Sequence, residues 1–424
     1  MRNRPPDVIV ILIDDVGVGD LGFTGAKDVP TPSIDRMARS GAVCTNGYVT
    51  PMCAPTRAAL LTGRDPQRFG IEDNRPLDGL KNGLSRGVVL LPQRLREAGY
   101  TTHLVGKWHL GRGDNFEFAP RNRGFDTFFG YFGAFGTYVN PTYSRDGKES
   151  VYPGYGTDIL TREACAIVEA KRTKPYFLHL SYTAAHLKQE AKSEDLEKFK
   201  GLDPKRRMAA AILSNLDENI GKLLEAIRRS GGDERTLIFF LSDNGGEPPI
   251  LGTRNGPLRG GKFDVYEGGI RVPFVVRWPG TIRAGTRLDD PVSVIDVQPT
   301  VLAAAGIKPP QQREQDGVDL LPVLTGRGKL PPQRALFWHT TEHRVWRTPR
   351  RAPNLSAVRR GDWKLVLKEE GGASELYDLR RDVGEKHDLA AREPGKVAEL
   401  RALFDRWNAA NRPQTFPPKQ QRRT

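Results

Sequence analysis

Val8-Ile9-Val10-Ile11-Leu12-Ile13, followed at once by Asp14-Asp15, is the stretch from which the fold follows. A run of β-branched residues and leucine with no polar face suits a strand covered on both sides. Thr236–Leu241 repeats the pattern and exits into Ser242-Asp243-Asn244. Tyr176–Tyr182 reads as a further strand, with His186 in the loop beyond it. Helix signals lie between these runs. Pro32–Ser40 has proline near its start and Gly41 just past its end, and Pro55–Thr62 is closed by Gly63. Pro92–Ala98 is stopped by Gly99, after which Thr101–Val105 returns as a strand. Ile212, Leu216, Ile220, Leu224 and Ile227 recur at helical spacing up to Gly231-Gly232. Such alternation predicts an α/β fold, a mostly parallel central sheet with helices on both faces.

A second, smaller unit is expected from about Lys329. A connector rich in Gly, Lys and Pro over 326–332 is followed by strand-like pieces at Ala335–His339, Ser356–Arg359 and Trp363–Leu367, then by a helix from about Pro394 to Asn408. Residues 1–328 would then carry the chemistry. Residues 329–424 would form a small antiparallel sheet with a helix.

In such sheets the loops leaving the strand carboxyl ends share one edge, where ligands bind. Asp14, Asp15, Lys107, His109, His186, Asp243 and Asn244 all sit in loops just after expected strands, so topology should gather them. Asp14, Asp15, Asp243 and Asn244 make an all-oxygen set suited to Ca2+ or Mg2+; zinc would draw on histidine or cysteine. Taken singly, each pair would equally suit a helix cap or a turn. Cys53-Ala54-Pro55-Thr56-Arg57 adds a cysteine before a helix whose first turn is shaped by Pro55. The start of that helix offers N–H groups and a positive dipole end to an anion. Lys262 lies in the glycine-rich Leu258-Arg259-Gly260-Gly261-Lys262-Phe263, of the kind that lets backbone approach an anion. If the segment after Val105 stays extended, Lys107 and His109 point the same way.

Together these motifs resemble the type I sulfatases, the formylglycine-dependent branch of the alkaline-phosphatase-like hydrolases. Their shorter signature, Cys-x-Pro-Ser-Arg, occurs here with Thr56 in the serine position. The resemblance continues through Asp14-Asp15, the helix from Arg57 to Gly63, and Gly106-Lys107-Trp108-His109-Leu110-Gly111. It extends to Ser242-Asp243-Asn244-Gly245, Glu267-Gly268-Gly269-Ile270-Arg271-Val272-Pro273 and Glu375-Leu376-Tyr377-Asp378-Leu379. It implies an alkaline-phosphatase-like domain with a smaller C-terminal antiparallel subdomain, and hydrolysis of a sulfate monoester. A formylglycine-generating enzyme would oxidise Cys53 to formylglycine, whose hydrated aldehyde attacks sulfur; the second diol hydroxyl then expels sulfate. The resemblance assigns Ca2+, in preference to Mg2+, to Asp14, Asp15, Asp243, Asn244 and position 53, as Lewis acid and template. Arg57, Lys107 and His109 are assigned to the diol, and His186 and Lys262 to the sulfate and the leaving oxygen.

The chain carries 65 basic and 51 acidic residues, a net charge of +14 that favours polyanionic partners. With no helix-turn-helix, zinc-finger or RNP pattern, nucleic acid is not expected. A sulfated carbohydrate fits both charge and site. Its recognition is expected in the irregular segments Asp114–Tyr143 and Trp338–Arg350, the latter offering His339, His343, Arg344, Trp346 and Arg347. No apolar run approaches the ~18 residues of a membrane span. Met1–Pro6 shows no secretory leader, although the resemblance implies a periplasmic or secreted protein. Cys44 and Cys165 read as small buried hydrophobes, His179 as a satisfied core residue, and Lys419–Thr424 as a solvated tail. Two other readings fit the sequence. One is a phosphate, phosphodiester or phosphonate hydrolase with the same cysteine-derived nucleophile. The other is a non-catalytic polyanion-binding protein with unmodified Cys53.

Overall fold

A computed structural model of the chain describes residues 4–74, 83–311, 315–341, 343–344, 351–352, 354–368 and 372–412. Its first part contains β1 (Asp7–Ile13), α1 (Pro32–Arg39), β2 (Ala42–Cys44), α2 (Cys53–Thr62), α3 (Leu91–Glu97), β3 (Thr101–Lys107) and β4 (Thr127–Tyr131). There follow β5 (Thr142–Arg145), β6 (Lys148–Val151), α4 (Gly156–Glu169), β7 (Tyr176–Ser181), α5 (Pro204–Arg229), β8 (Thr236–Ser242), β9 (Phe274–Arg277) and β10 (Thr286–Leu288). The strands form one ten-stranded sheet in the order β10-β2-β9-β8-β1-β7-β3-β4-β5-β6. From β8 to β4 all neighbours are parallel; antiparallel pairing enters at β9 on one side and at β5 and β6 on the other.

Alternation along β1 explains its apolar sequence. Val8, Val10 and Leu12 pack with Ala58 and Leu61 of α2. Ile9, Ile11 and Ile13 pack with Ile34 and Met37 of α1 and with Ile212, Leu216 and Ile220 of α5. Helices thus cover both faces, as the fold class requires. At the start of α5, Asp203 accepts the Arg206 N–H at 3.1 Å.

Two boundaries differ from the sequence expectation in ways that matter for the site. β3 runs on to Lys107 because Gly106 (φ 104°) continues the ladder between Ser181 and Gly130; a Cβ there would run into the Ser181 carbonyl. Lys107 therefore stands on a rigid strand end, not in a loop. Helix α2 begins at Cys53, two residues before Pro55. Extended Met52 serves as its N-cap, and proline tolerates the first turn, where its missing N–H would have had no intrahelical partner.

The second sheet is antiparallel, in the order β11 (Ala335–Thr340), β12 (Leu355–Arg360), β13 (Trp363–Lys368) and β14 (Glu375–Asp378). Helix α6 (Pro394–Ala409) covers one face through Leu400, Phe404 and Trp407. The other face, with Leu336, Trp338 and Tyr377, packs on Tyr48, Val265 and Ile270. Beneath it, Lys364 Nζ lies 2.9 Å from Glu267 Oε1 and 2.8 Å from Glu385 Oε1, all three side chains buried. This network ties the second sheet to the segment that follows Lys262.

Several expectations change. Trp338 is buried against Tyr48 and donates from Nε1 to the Val49 carbonyl at 2.8 Å, so it faces the interior and not a substrate. Cys44 is buried, but Cys165 on α4 is partly exposed; all three cysteines are free. His179 is buried, yet its Nδ1 makes no hydrogen bond. Burial, with Arg57 nearby, pushes its pKa down to about 3, and the ring stays neutral. The side chains of His343 and Arg344, and all of Trp346, Arg347 and Lys419–Thr424, lie outside the described residues. Among the described residues no helix is long and apolar enough to cross a membrane.

Candidate active site

Parallel pairing of Ile13 with Ser242 places the ends of β1 and β8 side by side, so Asp14-Asp15 meets Asp243-Asn244 although more than half the chain separates them. Asp15 turns the chain in the left-handed region (φ 61°), and its N–H is donated to Asp243 Oδ1 at 3.3 Å. Asn244 Nδ2 donates to Asp15 Oδ1 at 2.6 Å. From the first turn of α2, Cys53 Sγ reaches within 3.6 Å of Asp14 Oδ1 and 3.4 Å of Asn244 Oδ1. Side-chain atoms of Asp14, Asp15, Cys53 and His186 all lie within 4.8 Å of one another.

Three cations answer three carboxylates. Arg57 Nη2 lies 2.8 Å from Asp243 Oδ2 and 3.3 Å from Asp14 Oδ2, while Nη1 donates to the Lys107 carbonyl at 3.1 Å and to Ser181 Oγ. Lys107 Nζ sits 2.6 Å from Asp14 Oδ2. Lys262 Nζ sits 2.7 Å from Asp15 Oδ1 and 2.9 Å from its Oδ2. Lys262 is only 3 % exposed, so its glycine-rich loop aims it inward and not at solvent. Every member of the cluster is buried. With its charges balanced, the cluster would acquire a net positive charge on taking up a divalent cation, which suits an anionic substrate.

His109 does not continue an extended chain. It adopts φ 55°, while its neighbour Trp108 points away and donates from Nε1 to the Gly111 and Phe118 carbonyls at 2.8 and 3.0 Å. A left-handed turn, not strand alternation, returns the His109 ring toward the charges around Lys107, Arg57 and Asp14. His186 donates from Nδ1 to the Leu187 carbonyl at 3.1 Å and places Nε2 3.8 Å from Asp15 Oδ2.

The electrostatics follow from burial among opposed charges. Burial, then Lys107 and Arg57, hold His109 well below the usual histidine range; burial, then Lys262 and Lys107, do the same to His186. Burial alone would raise the Asp15 carboxyl, but Lys262 and His186 outweigh it and keep it low. Asp243 is raised by burial and by Asp14. Burial works against the Lys262 charge, yet Asp15 keeps its pKa well above the ordinary lysine value. Burial, with Asp243 beside it, also pushes the Cys53 thiol well up, so as a plain cysteine it stays protonated and is a weak nucleophile.

The structure thus brings Asp14, Asp15, Cys53, Arg57, Lys107, His109, His186, Asp243, Asn244 and Lys262 to one buried cluster. Two contacts were missed from sequence. Ser181, the last residue of β7, holds Arg57; the edge rule reaches it once strand ends are counted along with loops. Asn74 accepts the Ala54 N–H at 3.0 Å at the start of α2, and no local signal marks it. Within the segment expected to meet substrate, Phe135 is 42 % exposed with its ring centroid 5.3 Å from that of His186. In the other segment, His339 Nε2 lies 3.5 Å from Glu72.

The profile of the sulfatase family matches residues 6–307, and that of the N-sulphoglucosamine sulphohydrolase C-terminal region matches residues 261–405. N-acetylgalactosamine-6-sulfatase of Mus musculus is 34 % identical over 396 residues, covering 86 % of this chain and 72 % of its own length. Arylsulfatase A of Homo sapiens is 32 % identical over 448 residues, covering 94 % and 86 %. The crystal structure of Ps i-CgsB in complex with k-i-k-neocarrahexaose superposes with a TM-score of 0.91 at 32 % identity, covering 97 % of this chain and 95 % of that one.

Proposed function

The chain belongs to the sulfatase family and is a sulfuric ester hydrolase, and we propose that it removes sulfate from a sulfated carbohydrate, using formylglycine made from Cys53. The observation that carries this reading is the placement of Cys53 Sγ, 3.6 and 3.4 Å from oxygens of Asp14 and Asn244, inside a balanced cluster of carboxylates and cations. The similar N-acetylgalactosamine-6-sulfatase and the neocarrahexaose-bound i-CgsB support a carbohydrate over a small aryl group.

Asp14, Asp15, Asp243 and Asn244, with position 53, would hold Ca2+; the carboxylate and amide oxygens fit a hard cation. His186 lies close enough to count among the ligands. It would stand outside the ligand set, because a hard cation prefers oxygen, and would instead face the ester. Bound there, Ca2+ supplies Lewis-acid polarisation of a sulfate oxygen. Formylglycine supplies a diol whose second hydroxyl lets sulfate depart without hydrolysis of a covalent ester. Arg57 fixes the nucleophilic oxygen at the start of α2 and compensates Asp14 and Asp243. Lys107 and the neutral His109 hold the diol, whose proton His109 receives, while Lys262 and His186 bind the sulfate and the leaving oxygen. Residues 329–424 act as the smaller subdomain that braces the Lys262 segment through Lys364. Action outside the cytoplasm, in the periplasm or after secretion, fits a polymeric substrate.

The test is a protein made together with a formylglycine-generating enzyme. The peptide containing position 53 should have exchanged its sulfur and a pair of hydrogens for a single oxygen, and sulfated saccharides should be hydrolysed far faster than phosphate or phosphonate esters. Cys53→Ala should retain the fold and lose turnover. Full activity in that variant, or a preference for phosphate esters, would reject the reading.

A further inference from the structure

We propose that the cavity at the carboxyl end of α2 is a second anion site, holding sulfate or carboxylate groups of a glycan chain apart from the candidate active site. The cavity has a volume of about 520 Å³ and is lined by Arg64, Arg68, Arg94 and Arg412, with no carboxylate among the described lining residues. Cys53 opens α2 and Thr62 closes it beside the cavity. At 1.5 Å per residue the two sites therefore stand ~14 Å apart along the helix.

Among the described residues, ion pairs answer this positive charge only in part. Asp316 lies 3.1 Å from Arg68 Nη2 and 3.8 Å from Arg64 Nε, so one carboxylate serves two guanidinium groups. Arg68 is further held by the Trp407 carbonyl at 3.2 Å and Asn411 Oδ1 at 2.9 Å, and its role is to shape the wall. Arg64 Nε is buried without a hydrogen-bond partner. Arg412 is exposed, and no ion-pair partner approaches it among the described residues. The planar guanidinium groups of Arg64 and Arg412 match the paired oxygens of sulfate and carboxylate. Val89, 40 % exposed, adds an apolar wall for a sugar face.

The volume falls within the range of small-ligand sites, ~300–1,000 Å³. Single-stranded nucleic acid would need open aromatic faces for its bases. Phe69, the aromatic residue among the described lining residues, already has the Arg64 guanidinium over its ring, 5.3 Å from the centroid. A glycan therefore fits better. That choice of ligand rests on the sulfatase reading above; the anion site itself does not. A polymer held there would raise the local concentration of its other sulfate groups near position 53.

The experiment measures binding without turnover. Labelled dextran sulfate is titrated against full-length Cys53→Ala protein, alone and with Arg64→Gln/Arg412→Gln added. Arg412→Glu alone changes an exposed side chain and covers the case in which the double variant fails to fold. Arg381→Glu, at a side chain 86 % exposed elsewhere on the surface, controls for net charge. The cavity variants should lose about tenfold in affinity at 0.1 M salt and show a shallower salt dependence, while Arg381→Glu changes affinity less than twofold. Equal losses in all variants would mean diffuse surface attraction and overturn the site, as would no loss in any. Competition by a single-stranded oligonucleotide of equal charge as strong as by dextran sulfate would overturn the glycan assignment. Because no hydrolysis is read, failure here leaves the catalytic reading untouched, and the converse holds.

Discussion

Arg57→Met would test whether the buried cluster is a cation cage. Arg57 is 1 % exposed and pairs with Asp243 at 2.8 Å and Asp14 at 3.3 Å, both fully buried. Removing one partner of a buried ion pair costs about 3–5 kcal/mol, because the remaining charge is left without compensation. A kilocalorie shifts the melting temperature of a domain of 150–250 residues by about 2–4 °C and a larger chain by less, so a drop of about 5 °C is expected in EDTA. Three carboxylates would then face two lysines. That extra negative charge should leave Ca2+ affinity undiminished, and bound Ca2+ should recover much of the lost stability. Turnover should still fall by about 10²–10³, since the proposed mechanism loses a donor to the reacting oxygen. Calorimetric Ca2+ titration, melting with and without Ca2+, and sulfatase assays separate these effects. A melting deficit that is the same in Ca2+ as in EDTA, or weaker Ca2+ binding by the variant, would refute the cage.

Chelation should abolish sulfatase activity in the native protein, and Ca2+ should restore it more fully than Mg2+; full activity after exhaustive EDTA treatment would exclude the proposed ion. A pH effect is expected far from the active site. Asp65 accepts the Trp407 Nε1–H at 2.6 Å, and burial together with Asp316 pushes its pKa up to about 7 from an ordinary 3.8. The folded chain thus keeps a proton that the unfolded chain releases. The stability contributed is complete below about pH 4 and is lost as pH rises to 7. Asp65→Asn keeps an acceptor for Trp407 without the charge. Its melting temperature relative to the native protein should therefore climb between pH 4 and 8, and a gap independent of pH would disprove the assignment.

The legible parts of this chain were local. Val8–Ile13 announced a doubly covered strand because each of its residues had to be apolar, and the acidic pairs announced an edge because they interrupt such runs. The same logic failed at His109. Extended alternation predicts its direction only if φ stays negative, and His109 takes a left-handed turn at φ 55° beside the buried Trp108. It failed again at Trp338, which opens a segment expected to meet substrate. Whether such a ring faces a sugar or the interior depends on what stands opposite, and here Tyr48 stands opposite, almost 300 positions away.

By itself the sequence determined strand–helix alternation, the shared edge and the residue types available there, since periodicity and turn chemistry act within a few residues. Only the tertiary structure decided which charges pair. Arg57 meets Asp243 across 186 positions and Lys262 meets Asp15 across 247. It alone also set the burial that silences the Cys53 thiol and the two histidines, and it assembled the arginine-lined cavity from the end of α2, the start of α3 and the chain beyond α6. Such pairings carry no local signature, because the free energy of a buried charge depends on every group that surrounds it once the chain has closed.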